Sequence, residues 1–210
     1  MMNFNIEELT ILDKDKLVAG IDEVGRGCLA GPVVAAVVVI DKNFDIHDVK
    51  DSKKISKEKR AILYNKIINR SIEYKVSFVD NYEIDNINIL SATFRAMNNA
   101  ILSLKNKPFF YFIDGNKFNG NIENYATKIK GDANFVSIAS ASIVAKVSRD
   151  NWMIDYAAKI FPEYNFEIHK GYPTKLHFER IEKFGICDIH RKTFLKKYLI
   201  RKKQLFIFNN

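Results

Sequence analysis

The stretch LVAGIDEVGRGCLAGPVVAAVVVI, residues 17–40, holds two apolar runs with a polar, glycine-rich break between them. LVAGI and PVVAAVVVI are of strand length and rich in β-branched residues, and the glycines between them read as a turn, so two neighbouring strands are predicted. The second run is far too short to span a membrane. At the break stand Asp22 and Glu23, side by side. Carboxylates are seldom buried without a partner, so their position between two core-bound segments needs a reason.

Working outward, SIEYKVSFVD (71–80) alternates as a third strand, with Ile72, Tyr74, Val76 and Phe78 on one face. PFFYFIDG (108–115) is continuously apolar, the pattern of a strand covered on both sides, and ENYATKIKGD (123–132) is a weaker fifth candidate. Ser56 opens a charged helix, SKEKRAILYNKIIN. Ile87, Leu90, Phe94, Met97, Ile101 and Leu104 recur at gaps of three and four, an amphipathic helix. A further helix is predicted from about Ser137 to Phe161, and a last one between a Thr174 cap and a Gly185 stop. The order is that of an α/β layer fold with helices gathered in the C-terminal half.

The 210 residues suit one domain, with a core at about 17–194 and a basic tail at 195–210. Two cysteines, neither in a CxxC pair, argue against a disulfide framework or a zinc site, and the opening MMNFNIEELT has no apolar leader; a cytoplasmic protein is expected. Net charge is +8. Seven of the 33 Lys/Arg lie in residues 189–210, which hold no acid, so the rest of the chain is close to neutral. Such a tail either faces a polyanion such as nucleic acid or is simply solvated.

Asp22, Asp114 and Asp132 each stand where an apolar strand is predicted to stop, the end at which open α/β sheets gather ligands. One such acid is usually a turn former or a helix cap. Three of them, with Glu23, would repel one another unless a cation intervened, and hard Mg²⁺ or Mn²⁺ prefers carboxylate oxygen. Strand alternation alone would send Asp22 and Glu23 to opposite faces, and Gly25 and Gly27 allow the backbone to turn there. GRGCLAG partly resembles a dinucleotide fingerprint, but a strand follows it rather than a helix, so the glycines read as backbone open to close approach, with Arg26 available for a phosphate. Ser142, Lys146 and Arg149 form one polar stripe on a helix, either a solvated face or a phosphate track. Lys53 and Lys54 carry the same two readings.

AGIDEVGRGCLAGPVVAAVVV, DSKKISKEKR, INILSATFRAM, FIDGN, KGDANFVSIASASIVAKVSRD, HKGYPTKLHFERIEKFG and HRKTF occur in this order between Ala19 and Phe194. Together they resemble the type 2 ribonuclease H family, specifically bacterial ribonuclease HII. The related ribonuclease HIII family usually carries an added N-terminal substrate-binding domain, which the first 16 residues, lying outside the likeness, are not expected to hold. The resemblance implies a ribonuclease H-like fold: a mixed five-stranded sheet flanked by helices, with a C-terminal helical extension. It implies an endonuclease acting on RNA–DNA hybrids and on single ribonucleotides embedded in duplex DNA, by two-metal-ion catalysis with Mn²⁺ or Mg²⁺. The cut would lie 5′ to the ribonucleotide and leave 3′-hydroxyl and 5′-phosphate ends, a step of replication and repair.

The family's metal-binding, catalytic acids fall on Asp22, Glu23, Asp114 and Asp132. Its ribose 2′-hydroxyl sensor falls on Gly25, Arg26 and Gly27, and its substrate-sensing tyrosine on Tyr172. The same setting favours Lys53, Lys54, Ser142, Lys146 and Arg149 as phosphate contacts. His169, His177 and His190 lack zinc spacing and are expected to be structural or phosphate-facing. A monomer with no membrane association is expected, with a replication clamp as a further partner to consider. A binding module without chemistry would not need the acids, and a carboxylate-pair glycosidase would leave the basic tail and GRG unexplained.

Overall fold

The two opening runs become the centre of a sheet. The structure is a computed structural model describing residues 5–46, 49, 56–196, 198 and 200. Val18–Val24 forms β1 and Val33–Ile40 forms β2, followed by β3 (Glu73–Val79), β4 (Phe110–Asp114) and β5 (Tyr125–Lys128). They lie in the order β3-β2-β1-β4-β5. The pairs β1–β2 and β2–β3 are antiparallel, while β1–β4 and β4–β5 are parallel, so the sheet is mixed. Every residue of β2 is buried because both faces are covered. Val18, Ala36, Val38 and Ile40 face one helical layer; Ala19, Ile21, Val33, Ala35, Val37 and Val39 face the other.

The first layer consists of α2 (Lys57–Arg70) and α6 (Val136–Trp152), the second of α3 (Asn81–Ile87) and α4 (Ile89–Leu102). The amphipathic pattern predicted as one helix from Ile87 to Leu104 is broken at its start. Asn88 adopts φ 68°, and its side chain caps α4 by accepting from the Leu90 and Ser91 N–H groups. Ser56, Thr174 and Gly185 take the cap and stop positions predicted for them, around α2 and α8 (Lys175–Phe184). The predicted helix to Phe161 passes from α6 through a π-helical turn, Met153–Ala157, into α7 (Ala158–Ile160).

Two features that position the site were not foreseen. The first is α1 (Ile6–Leu12), which precedes the region of family likeness. Its Glu8 is buried and accepts hydrogen bonds from the Val136 and Ser137 N–H groups at 2.9 Å, and another from the Ser137 hydroxyl. The N-cap residue of α6, Phe135, supplies no side-chain cap, so Glu8 satisfies those N–H groups from outside the helix. Burial pushes the Glu8 carboxyl above the usual range, against the pull of its hydrogen bonds. The second is Gly20 in β1, where a Cβ would sit 1.9 Å from the Ser137 carbonyl carbon. Only glycine lets α6 lie this close to the strand that carries the acids.

Among the described residues no helix is long and apolar enough to cross a membrane.

Candidate active site

The parallel pairing of β1 with β4 ends at Ile21 opposite Ile113. The next residues are Asp22 and Glu23 on one strand and Asp114 on the other, so three carboxylates stand where the sheet opens. The expectation that the first strand stops at Asp22 needs correction, because β1 continues against β2 as far as Val24 opposite Val34. Alternation puts Asp22 on the side of Val18 and Val24, and Glu23 on the side of Ala19 and Ile21. Both still line one cavity of about 350 Å³, because it lies beyond the last β1–β4 pair. Asp114, Ser142, Lys146, Arg60 and Tyr172 line it too.

The carboxylates disturb one another. Burial, then the charges of Glu23 and Asp114, push the Asp22 carboxyl well above the usual range, while hydrogen bonds from the Ser142 hydroxyl and the Glu23 N–H (2.7 Å) pull it down. Burial raises Glu23 as well, offset in part by Arg26, whose Nη1 donates to Glu23 Oε1 at 3.1 Å. Asp114 Oδ1 accepts from the Gly131 N–H at 2.7 Å, which ties β4 to the short helix α5 (Gly131–Asn134). Asp132, the next residue, is buried beside that contact but is not among the residues lining the cavity.

Crowded acids whose charged forms are disfavoured are what a divalent cation stabilises, and the donors are the hard oxygens that Mg²⁺ and Mn²⁺ select. Among the described residues no three or more His, Cys, Asp or Glu side chains are already grouped so that they could hold a metal ion. The acids form an open wall of oxygen donors, compatible in charge and donor type with such ions.

Beside this wall lies a second cluster. Gly25 has φ 90°, and a Cβ there would lie 2.3 Å from Arg149 Nε. Arg149, expected on a phosphate track, is instead fully buried. Its guanidinium donates to the carbonyls of Pro32 (2.9 Å), Lys170 (2.9 Å) and Ala30 (3.1 Å). The polar stripe is real, but the loops at 30–32 and 170–172 cover its last turn. Arg191, also fully buried, donates to the carbonyls of Gly31 (3.0 Å) and Arg26 (2.9 Å). These two cations hold the loop after β1 in place, since guanidinium presents several donors in a fixed fork.

Gly171, at φ 80°, lets the next loop lie against Ala30, and its carbonyl accepts from the Leu29 N–H at 2.8 Å. Tyr172 follows, with Lys146 Nζ 5.4 Å and Arg149 Cζ 5.6 Å from its ring centre. Burial pushes the Tyr172 hydroxyl to about 12, with Cys28 close by as a hydrogen-bond partner. Lys146 pairs with Asp150 at 2.8 Å.

The structure therefore gathers Asp22, Glu23, Asp114, Ser142, Lys146 and Tyr172 around one cavity, with Arg26 joined to it through Glu23. Lys53 and Lys54 fall outside the described residues. Sequence reasoning did not single out Arg60, which stands within the quoted DSKKISKEKR run, or Cys28. It left His177 and His190 as structural or phosphate-facing, and their full burial removes the second option.

Residues 19–198 match the family described as Ribonuclease HII. The chain is 55% identical over 178 residues to the ribonuclease HII of Endomicrobium trichonymphae, covering 84% of each chain. Among solved structures it resembles the ribonuclease H2 of Pyrococcus horikoshii OT3, with TM-score 0.73 and 30% identity over 88% of this chain and 98% of that one. It also resembles the ribonuclease HII in the PCNA:RNase HII complex of Archaeoglobus fulgidus, with TM-score 0.71 and 26% identity over 83% of this chain and 93% of that one.

Proposed function

This chain belongs to the ribonuclease HII family and is a ribonuclease H endonuclease acting on RNA–DNA substrates, and from that premise we propose the finer reaction. It hydrolyses RNA in hybrids and at single ribonucleotides embedded in duplex DNA, cutting 5′ to the ribonucleotide and leaving 3′-hydroxyl and 5′-phosphate ends. The observation that carries this reading is the meeting of Asp22, Glu23 and Asp114 with Ser142, Lys146 and Tyr172 around one open cavity.

Asp22, Glu23 and Asp114 would hold divalent cations, with Asp132 as a further ligand beside the Gly131–Asp114 contact. In two-metal-ion hydrolysis, Mg²⁺ or Mn²⁺ when bound supplies an activated water and stabilises charge on the departing 3′-oxygen. The chain's own residues set the conditions for this. The Ser142 hydroxyl favours the charged form of Asp22 and offsets part of the burial that raises its carboxyl. Lys146 offers a cation to the phosphate backbone, and Arg26, half exposed, can do the same. The Gly25–Arg26–Gly27 backbone would approach the ribose, where a Cβ on Gly25 would strike Arg149. The Tyr172 ring would meet the deoxyribose that follows. Together they would read an RNA-to-DNA junction, since the 2′-hydroxyl is the local mark that separates the two sugars.

The Archaeoglobus fulgidus relative was solved with PCNA. A sliding clamp is accordingly the protein partner proposed for this chain.

The test is a duplex carrying one ribonucleotide, incubated with Mg²⁺, Mn²⁺ or chelator, with the ends mapped. One metal-dependent cut 5′ to the ribonucleotide is expected. A cut on its 3′ side, cleavage of an all-DNA duplex, or cleavage that survives chelation would overturn the proposal.

A further inference from the structure

Behind Tyr172, away from the carboxylates, lies a buried group of three imidazoles whose hydrogen bonds define their protonation atom by atom. The Tyr172 carbonyl accepts from the Thr174 N–H at 2.8 Å and faces His177 Nδ1 at 2.9 Å, so His177 Nδ1 carries a proton and donates it. His177 Nε2 is 3.1 Å from His190 Nε2. In the neutral pair one nitrogen must donate and the other accept, and His177 has already used its proton. His190 therefore donates from Nε2, and its Nδ1 accepts from the Cys187 N–H at 2.9 Å. The opposite tautomer of His190, with Nδ1 donating to the Cys187 carbonyl at 3.3 Å, would set two lone pairs face to face across the His177 contact. His169 stacks on His177 at 4.2 Å; its Nδ1 accepts from the Gly171 N–H and its Nε2 donates to the Tyr164 carbonyl.

His190 pairs with Ala30 across a β-bridge; Gly31 N–H donates to the Ile189 carbonyl and Arg191 N–H to the Leu29 carbonyl, each at 2.8 Å. Leu29–Gly31 is the continuation of the Gly25–Gly27 loop. The two imidazoles thus bridge the backbone of Tyr172 to the segment that carries the glycine loop.

We propose that His177 and His190 are positioning residues for junction recognition, a neutral imidazole relay that sets the spacing between Tyr172 and the Gly25–Gly27 loop. The inference rests on the reading that Tyr172 meets the deoxyribose after the ribonucleotide. It deepens that reading by naming what holds the two sensors in register. Neither histidine touches substrate. A relay of this kind matters most for a substrate whose recognition needs both sensors at once, namely a ribonucleotide followed by DNA. A uniform hybrid places a ribose at Tyr172 and depends on the spacing less.

The experiment compares kcat and KM on two substrates, a duplex with one embedded ribonucleotide and a uniform RNA–DNA hybrid. It uses the full chain as wild type, His177→Leu, His177→Asn and Tyr172→Ala. His177→Leu should lower kcat/KM on the single-ribonucleotide duplex by about tenfold, the scale expected of a sub-ångström misplacement, and change the hybrid by less than about threefold. His177→Asn keeps an N–H donor near the Tyr172 carbonyl and should restore most of the loss. An unchanged substrate ratio in His177→Leu, or equal losses on both substrates, overturns the relay while a ratio shifted by Tyr172→Ala leaves the parent reading standing. No shift with Tyr172→Ala overturns both. Should His177→Leu fail to fold, imidazole ¹⁵N spectra of the wild type decide the matter. His177 protonated on Nδ1 and His190 on Nε2 is the expected pattern, and any other assignment at pH 7 refutes it.

Discussion

Acidification should destabilise this protein through two particular side chains. Burial lowers His177 from 6.5 to about 3 and His190 from 6.5 to about 4, so the folded state keeps both neutral while the unfolded chain protonates them. Their contribution is fully present above pH 6.5 and is lost as the pH falls toward those folded values. At pH 5, 1.5 units below the unfolded value, each histidine costs about 2 kcal/mol, taking about 1.4 kcal/mol per unit, and the pair about 4. Glu8, Asp22 and Glu23 work in the opposite sense: their raised carboxyls bind protons sooner folded than unfolded, so acid favours the folded form through them. A bare pH profile would mix the two effects. Urea denaturation at pH 8, 7, 6 and 5, in chelator, of the wild type and a His177→Asn/His190→Gln double variant separates them. The carboxylates are common to both proteins, so the wild-type advantage should shrink by about 4 kcal/mol between pH 8 and pH 5. An advantage that stays constant, or grows in acid, would refute neutral burial of the pair.

Asp22→Asn should abolish cleavage, leave duplex binding in place, and raise the melting temperature, since it removes the buried charge that Glu23 and Asp114 oppose; a lower melting temperature would contradict that repulsion. Glu8→Ala should cost about 2–3 kcal/mol by stripping acceptors from two buried N–H groups, measured by urea melts, with activity reduced because α6 carries Ser142 and Lys146. Lys146→Ala should weaken duplex binding and reduce its salt slope by about one. Arg149→Ala should destabilise the fold without a comparable change in that slope.

Much of the site was legible because its residues are marked by local pattern. Asp22, Glu23 and Asp114 interrupt apolar runs, and strand ends in an α/β sheet are where ligands gather. What remained hidden depends on what folds over what. The spacing of Ser142, Lys146 and Arg149 shows one helical face, but cannot show that the loops around Ala30 and Gly171 bury its last turn. The break at Asn88 sits inside an unbroken apolar period, where a single left-handed residue leaves no trace in hydrophobicity. Glu8 lies outside the motifs, and its partners at Val136 and Ser137 are more than 120 positions away. The histidines lack metal spacing, and only three-dimensional packing reveals that they address one another.

The most direct measurement is a calorimetric titration of Mn²⁺ into the wild type, Asp22→Asn and Asp114→Asn. The wild type should bind the ion, and each substitution should weaken binding by at least about tenfold, since a lost hydrogen bond or charge contact of about 1.4 kcal/mol already gives that factor. Equal binding in all three proteins would show that these carboxylates do not hold the metal.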